Sequence, residues 1–157
     1  MLSSGLLIVE DDPDDLEALV KAVKRYGVGG EVRVAGDGAA ALDELARPAL
    51  PRLVLLDLNL PKIAGLEVLR AIRADRRLKR LPVVIMSAST GEREVDQAYA
   101  LGVSSCIAKP QTYAEYDRVV GDLLHYWLEV NLPATAAPSL KIPGWAKAKR
   151  EGRWPRA

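Results

Sequence analysis

The sequence predicts a doubly wound α/β fold: five parallel strands in the order 2-1-3-4-5, helices on both faces, and a trailing arm. Three observations predict it. Short continuous apolar runs, such as Leu6–Val9 and Leu53–Leu56, recur along the chain. Amphipathic stretches at helical spacing separate them, as in 13–26, where Leu16, Leu19, Val20 and Val23 follow the offsets 0, 3, 4, 7. The strand–helix unit repeats five times. A strand that is apolar throughout is covered on both faces, which is the mark of a parallel sheet between helix layers.

The first run, Leu6–Val9, ends at Glu10-Asp11-Asp12, and the helix over 13–26 stops at Gly27-Val28-Gly29-Gly30. Residues 31–35 alternate and form a strand. A helix over 37–46 turns Leu42 and Leu45 inward and ends before Pro48 and Pro51. Leu53–Leu56 is the third strand and ends at Asp57. Residues 63–75 form a helix with Leu66, Leu69 and Ile72 inward. Residues 83–86 are the fourth strand, ending at Ser87, and 92–101 the fourth helix. A short strand over 104–108 ends at Lys109-Pro110. The longest helix, 113–130, carries Tyr116, Val119, Val120, Leu123, Leu124 and Trp127 on one stripe. Right-handed crossovers leave few windings for such a series. Five strands fit the flavodoxin-like order better than a six-stranded Rossmann sheet.

Composition narrows the function. Of 157 residues, 49% are hydrophobic and 27% charged, which is ordinary globular usage and excludes collagen-like and wholly disordered chains. A single cysteine, Cys106, permits no internal disulfide and points to the cytoplasm. A single histidine, His125, leaves little room for a His-ligated metal or a Ser/His/Asp triad. No apolar run is long enough to span a bilayer, and the N-terminus lacks a basic region ahead of its apolar run, so neither a membrane nor an export signal is expected. Residues 131–157 hold six Lys/Arg against one acid, leaving 16 basic and 20 acidic residues before them. An acidic body with a basic tail does not suit direct nucleic-acid binding. The expected organisation is a domain over 1–130 followed by a Pro-rich basic arm over 131–157.

In a doubly wound sheet, ligands bind beyond the carboxyl ends of the strands, at the point where strand order reverses. There the chain places Asp11 and Asp12, Asp57, Ser87 and Lys109. Taken singly, each has an ordinary explanation; Asp12 before Pro13 also reads as a helix N-cap. Together they put three carboxylates, a hydroxyl and an ammonium on one rim. Crowded carboxylates repel and call for a cation. Hard oxygen ligands with water and phosphate describe Mg²⁺, and Lys109 is a point charge for an anion. No glycine-rich phosphate loop follows the first strand, so a free nucleotide is disfavoured. What remains is a carboxylate that itself accepts a phosphoryl group.

The segments IVEDDPDD, LVLLDLNLPKIAGLEVL, PVVIMSAS and AKP, in this order and spacing, resemble the receiver domains of two-component response regulators over about residues 5–130. The resemblance implies Asp57 as phosphoacceptor, and Asp11, Asp12, Asp57 and the Asn59 backbone carbonyl as Mg²⁺ ligands, with Asp12 the more direct of the acidic pair. It implies that Ser87 and Lys109 bind phosphoryl oxygens, that Asn59 and Ser89 flank the hydrolytic water, and that the Lys109–Pro110 bond is cis. It further implies a phosphohistidine donor on a sensor histidine kinase. The ending DLLHYWLEVNLP is similar to that of small regulators paired with phytochrome-type kinases, bacteriophytochromes among them. Two positions depart from the pattern: Cys106 stands where an aromatic is usual, and Ala64 where Asp is common. Cys106 reads as a small buried hydrophobe rather than a redox sensor. No output module is expected after Val130. Surplus aromatic and apolar residues on the last helix and arm predict a homodimer built there. The competing classes are a receiver-like interaction module that is no longer phosphorylated, and a metal-dependent phosphohydrolase on a related fold.

Overall fold

The computed structural model describes residues 5–88 and 91–134. Its elements are β1 (Leu6–Val9), α1 (Pro13–Tyr26), β2 (Val32–Ala35), α2 (Gly38–Ala46), β3 (Leu53–Leu56), α3 (Gly65–Ala74), β4 (Val83–Ser87), α4 (Glu92–Ala100), β5 (Ser105–Ala108) and α5 (Tyr113–Leu124), followed by a π-helical turn, His125–Val130. The strands form one sheet in the order β2-β1-β3-β4-β5, all pairs parallel. The predicted flavodoxin-like fold is the one found.

The apolar runs are buried because each strand is sandwiched. Successive side chains point to opposite faces. Leu7, Val9, Val54, Leu56, Val83 and Ile85 pack against Val68, Leu69, Ile72 and Ala98 on one side. Leu6, Ile8, Leu53, Leu55, Val84 and Met86 pack against Leu19, Val23, Val120 and Leu124 on the other. Each such leucine contributes roughly 1.5–3 kcal/mol through burial. No helix among the described residues is long and apolar enough to cross a membrane.

Helix starts follow local chemistry. The Asp12 side chain accepts from the Asp14 and Asp15 N–H groups, with Pro13 at the first helical position. Asp37 accepts from Ala40 N. Thr112 and Glu115 form a reciprocal capping box on α5. Gly27 ends α1 at φ 83°, a conformation that favours glycine.

Four features differ from the sequence reading. β2 alternates with the charged residue inward: Arg33 is buried while Val32 and Val34 are exposed. The Arg33 guanidinium donates to the Glu44 and Ala49 carbonyls at 3.2 and 2.9 Å and pairs with the Glu44 carboxylate at 3.1 Å, which is why burial is tolerated. Helix α3 begins at Gly65 rather than 63, because the Gly65 N–H turns back to the Leu58 carbonyl. The long last helix is α-helical only to Leu124; beyond it the turn widens, and Asn131 N bonds the Tyr126 carbonyl five residues back. No cis peptide occurs among the described residues, so Lys109–Pro110 is trans, the isomer an X–Pro bond ordinarily prefers by about 0.5–1 kcal/mol. The arm beyond Ala134, and Ser89, lie outside the described residues.

Candidate functional site

The site is built where β1, β3, β4 and β5 end. Parallel register puts Val9 beside Leu56, so the next residues, Glu10 and Asp57, emerge side by side. The Asp57 N–H donates to the Val9 carbonyl at 3.0 Å, which locks this pairing. Ser87 is the buried last residue of β4, paired with Ala108, and its carbonyl accepts the Lys109 N–H at 3.0 Å. The sheet itself thus brings Asp57, Ser87 and Lys109 together.

Lys109 reaches across the rim. Its ammonium stands 2.8 Å from Glu10 Oε2, 2.8 Å from Asp15 Oδ2 and 3.4 Å from Asp57 Oδ2. Burial favours its neutral form, but these carboxylates more than offset that and hold its pKa well above the ordinary lysine value. Glu10 is pushed up by burial, against the pull of Lys109 and of the Asp12 N–H, which its Oε1 accepts at 3.0 Å. Asp57 is only 4% exposed. Its Oδ1 is buried without a hydrogen-bond partner.

Oxygens of Glu10, Asp11 and Asp57 lie within 4.8 Å of one another. Two carboxylates at that separation repel by about 3 kcal/mol at an effective dielectric of ~20. Lys109 is one charge against these three and Asp15. An orphaned buried carboxylate oxygen beside an all-oxygen acidic cluster is a donor set suited to Mg²⁺ or Mn²⁺. Asp12, expected as the more direct ligand, stands outside this cluster and caps α1, its Oδ1 accepting from Asp14 N and Asp15 N at 3.0 and 2.9 Å. Glu10 takes its place in the cluster. Asn59 lies two residues past Asp57, in the β3–α3 loop, with its side chain exposed. Cys106 is half-buried on β5 against the α2–α4 core, and burial raises its thiol pKa, which suits packing and not reactivity.

The sequence reading missed Glu10 and Asp15. Register was the available signal for Glu10, because the residue after Val9 must stand next to the residue after Leu56.

The five-stranded doubly wound sheet thus carries an acidic cluster and a buried lysine on its carboxyl rim. Residues 6–120 match the response regulator receiver domain, and the chain belongs to that family. It is 38% identical over 131 residues to the probable methanogenesis regulatory protein FilR2 of Methanothrix harundinacea, covering 80% of this chain and 84% of that one. It is 35% identical over 136 residues to response regulator Rcp1 of Synechocystis, covering 82% and 92%. The Mn²⁺-bound form of Rcp1 superposes with a TM-score of 0.77 at 32% identity, covering 83% and 99%. The phosphorylated cyanobacterial phytochrome response regulator RcpA superposes with a TM-score of 0.79 at 33% identity, covering 86% and 100%.

Proposed function

We propose that this receiver domain accepts a phosphoryl group on Asp57 from the phosphohistidine of a sensor histidine kinase and signals by the conformational change that follows. The observation that carries this reading is the buried, unpartnered Asp57 Oδ1 beside the Lys109 ammonium and the acidic cluster. An Asp57 oxygen attacks phosphorus, the phosphorus–nitrogen bond breaks, and the kinase imidazole leaves. An acyl phosphate forms, which water later hydrolyses. Lys109 neutralises phosphoryl charge, and the Ser87 hydroxyl donates to a phosphoryl oxygen. Asp11, Asp57, the Asn59 carbonyl and Glu10 are the residues that would hold Mg²⁺, whose bound charge offsets that of the incoming phosphoryl group. Asp12 keeps its place on α1.

Similarity to the cyanobacterial phytochrome response regulator RcpA favours a phytochrome-type kinase as the donor, and the single cysteine, Cys106, fits the cytoplasm. The exposed Tyr126, Val130 and Leu132 at the end of the described chain favour a homodimer through the last helix and arm. The test is intact mass after incubation with Mg²⁺ and phosphoramidate. A labile adduct of one phosphoryl group, absent in Asp57→Asn, is expected. No adduct would mean an interaction module, and turnover of many phosphate esters would mean a hydrolase.

A further inference from the structure

Lys109 is shared between the rim and α1, and the residue that shares it also touches α5. Asp15 Oδ2 stands 2.8 Å from the ammonium, while Asp15 Oδ1 accepts the Tyr116 hydroxyl at 2.9 Å. Tyr116 is buried on α5, and a buried phenol needs a partner for its O–H. One carboxylate in the first turn of α1 therefore joins the cation beside Asp57 to a hydroxyl on the helix across the seam. Burial alone would favour the protonated carboxyl; the Lys109 and Tyr116 hydrogen bonds outweigh it and keep Asp15 ionised.

We propose that Asp15 is a positioning residue for Lys109 and that it transmits the state of Asp57 to α5. The proposal rests on the phosphoacceptor reading of Asp57. An ammonium has three donors. Here they face Glu10 and Asp15 at 2.8 Å and Asp57 at 3.4 Å, so Asp57 holds the cation least closely. A phosphoryl group on Asp57 adds negative charge and strong acceptor oxygens at that third position. It draws Lys109 toward Asp57 and away from Asp15. The Asp15 carboxylate, deprived of its cation and facing new negative charge, turns toward water, and the Tyr116 hydroxyl loses its acceptor. The same seam carries the Arg25–Asp117 ion pair and the Tyr26–Glu129 hydrogen bond, and the second of these reaches the π-helical turn. The route runs along α1 and α5 and needs nothing of the β5 position held by Cys106.

The test is amide hydrogen exchange over residues 113–124 of the full chain, with and without phosphoramidate and Mg²⁺, with intact mass read on the same samples. Phosphorylation is expected to speed exchange there by roughly tenfold, the weight of one hydrogen bond to a charged group. Tyr116→Phe should carry the adduct and lose the response, and Asp15→Asn should lose it at matched occupancy. A full adduct with no change in wild type overturns the proposal, as does a response that persists in both variants. An adduct that never forms in wild type defeats the phosphoacceptor reading instead. The unphosphorylated protein then decides Asp15 separately. Lys109→Met should speed exchange over 113–124 in wild type but not in the Tyr116→Phe background, with Lys109→Gln as the substitute should the methionine variant not fold. Equal effects in the two backgrounds would show that Asp15 couples nothing.

Discussion

Gly65 presses against the backbone of Asp57 so closely that a Cβ at residue 65 would stand 2.2 Å from the Asp57 carbonyl oxygen. The first turn of α3 is thereby seated directly behind the candidate phosphoacceptor, and the Gly65 N–H reinforces it by donating to the Leu58 carbonyl at 2.9 Å. The Asp57 carbonyl oxygen and carbon and the Leu58 Cα that this Cβ would meet are all backbone, so none can swing aside. Gly65→Ala should cost about 1–3 kcal/mol by overpacking and displace the Asp57 loop. Urea unfolding reads the first effect, and the initial rate of phosphoramidate labelling the second. A fully stable and fully reactive variant would show that α3 shifts without disturbing the site.

Asp11 and Asp12 should separate cleanly. Asp11→Ala should weaken Mn²⁺ or Mg²⁺ binding at least tenfold in titration calorimetry, because it removes a member of the oxygen cluster. Asp12→Ala should leave the affinity within about twofold while lowering stability by about 1 kcal/mol, the ordinary weight of an N-cap. The reverse pattern would return the ligand role to Asp12.

Lys109→Ala should slow labelling by small phosphodonors by roughly tenfold to a hundredfold, since it deletes the cation nearest Asp57. It should also destabilise the fold by about 3–5 kcal/mol, because buried Glu10 loses its partner. A time course of intact mass, taken where melting shows the variant folded, separates rate from stability. An unaltered rate would make Lys109 a structural cation only.

Glu115 supplies the pH dependence. Its carboxylate accepts the Gln111 and Thr112 N–H groups at 2.9 and 3.2 Å, and these bonds hold its pKa below the ordinary 4.5. A carboxyl with a depressed folded pKa adds stability above its unfolded pKa and loses it as the pH falls through the folded value. The melting-temperature advantage of wild type over Glu115→Gln should therefore be full at pH 7, shrink below pH 4.5, and vanish once the folded carboxyl is protonated. A constant difference from pH 7 to acid would remove the charge from the capping argument.

Light scattering tests the proposed homodimer. The full chain should be dimeric at micromolar concentration, and a version ending at Leu132 should be weakened. A monomeric full chain rules out the dimer. A truncated chain that stays dimeric assigns it to the helix alone.

Much of this was legible in the sequence for a simple reason. Strands buried on both faces announce themselves as unbroken apolar runs, and once their order is known the residues after them must meet. Asp57, Ser87 and Lys109 were found in that way. Glu10 was hidden because it directly follows Val9 while the adjacent Asp11-Asp12 pair looked self-sufficient; only strand register distinguishes them. Asp15 was hidden because an acid in a first helical turn already has a reason to be there, the helix dipole. Arg33 on β2 needs carbonyls from residues 44 and 49, which no local pattern reveals. Nor does the composition of HYWLEV distinguish a π-turn from a continuing α-helix.

That π-turn has a consequence for where the chain goes. Each α-helical residue advances the backbone by about 100°, and a π-turn absorbs one residue more than an α-turn. His125–Val130 therefore acts as a phase shifter between domain and tail. After it, Pro133 and Ala134 come to lie beside Pro51, Arg52 and Pro82, under the amino ends of β3 and β4. Pro133 and Ala134 thus lie at the pole of the sheet opposite to Asp57, Ser87 and Lys109. A continuous α-helix over the same residues would instead rotate the exit toward Pro133 by about 100° about the helix axis.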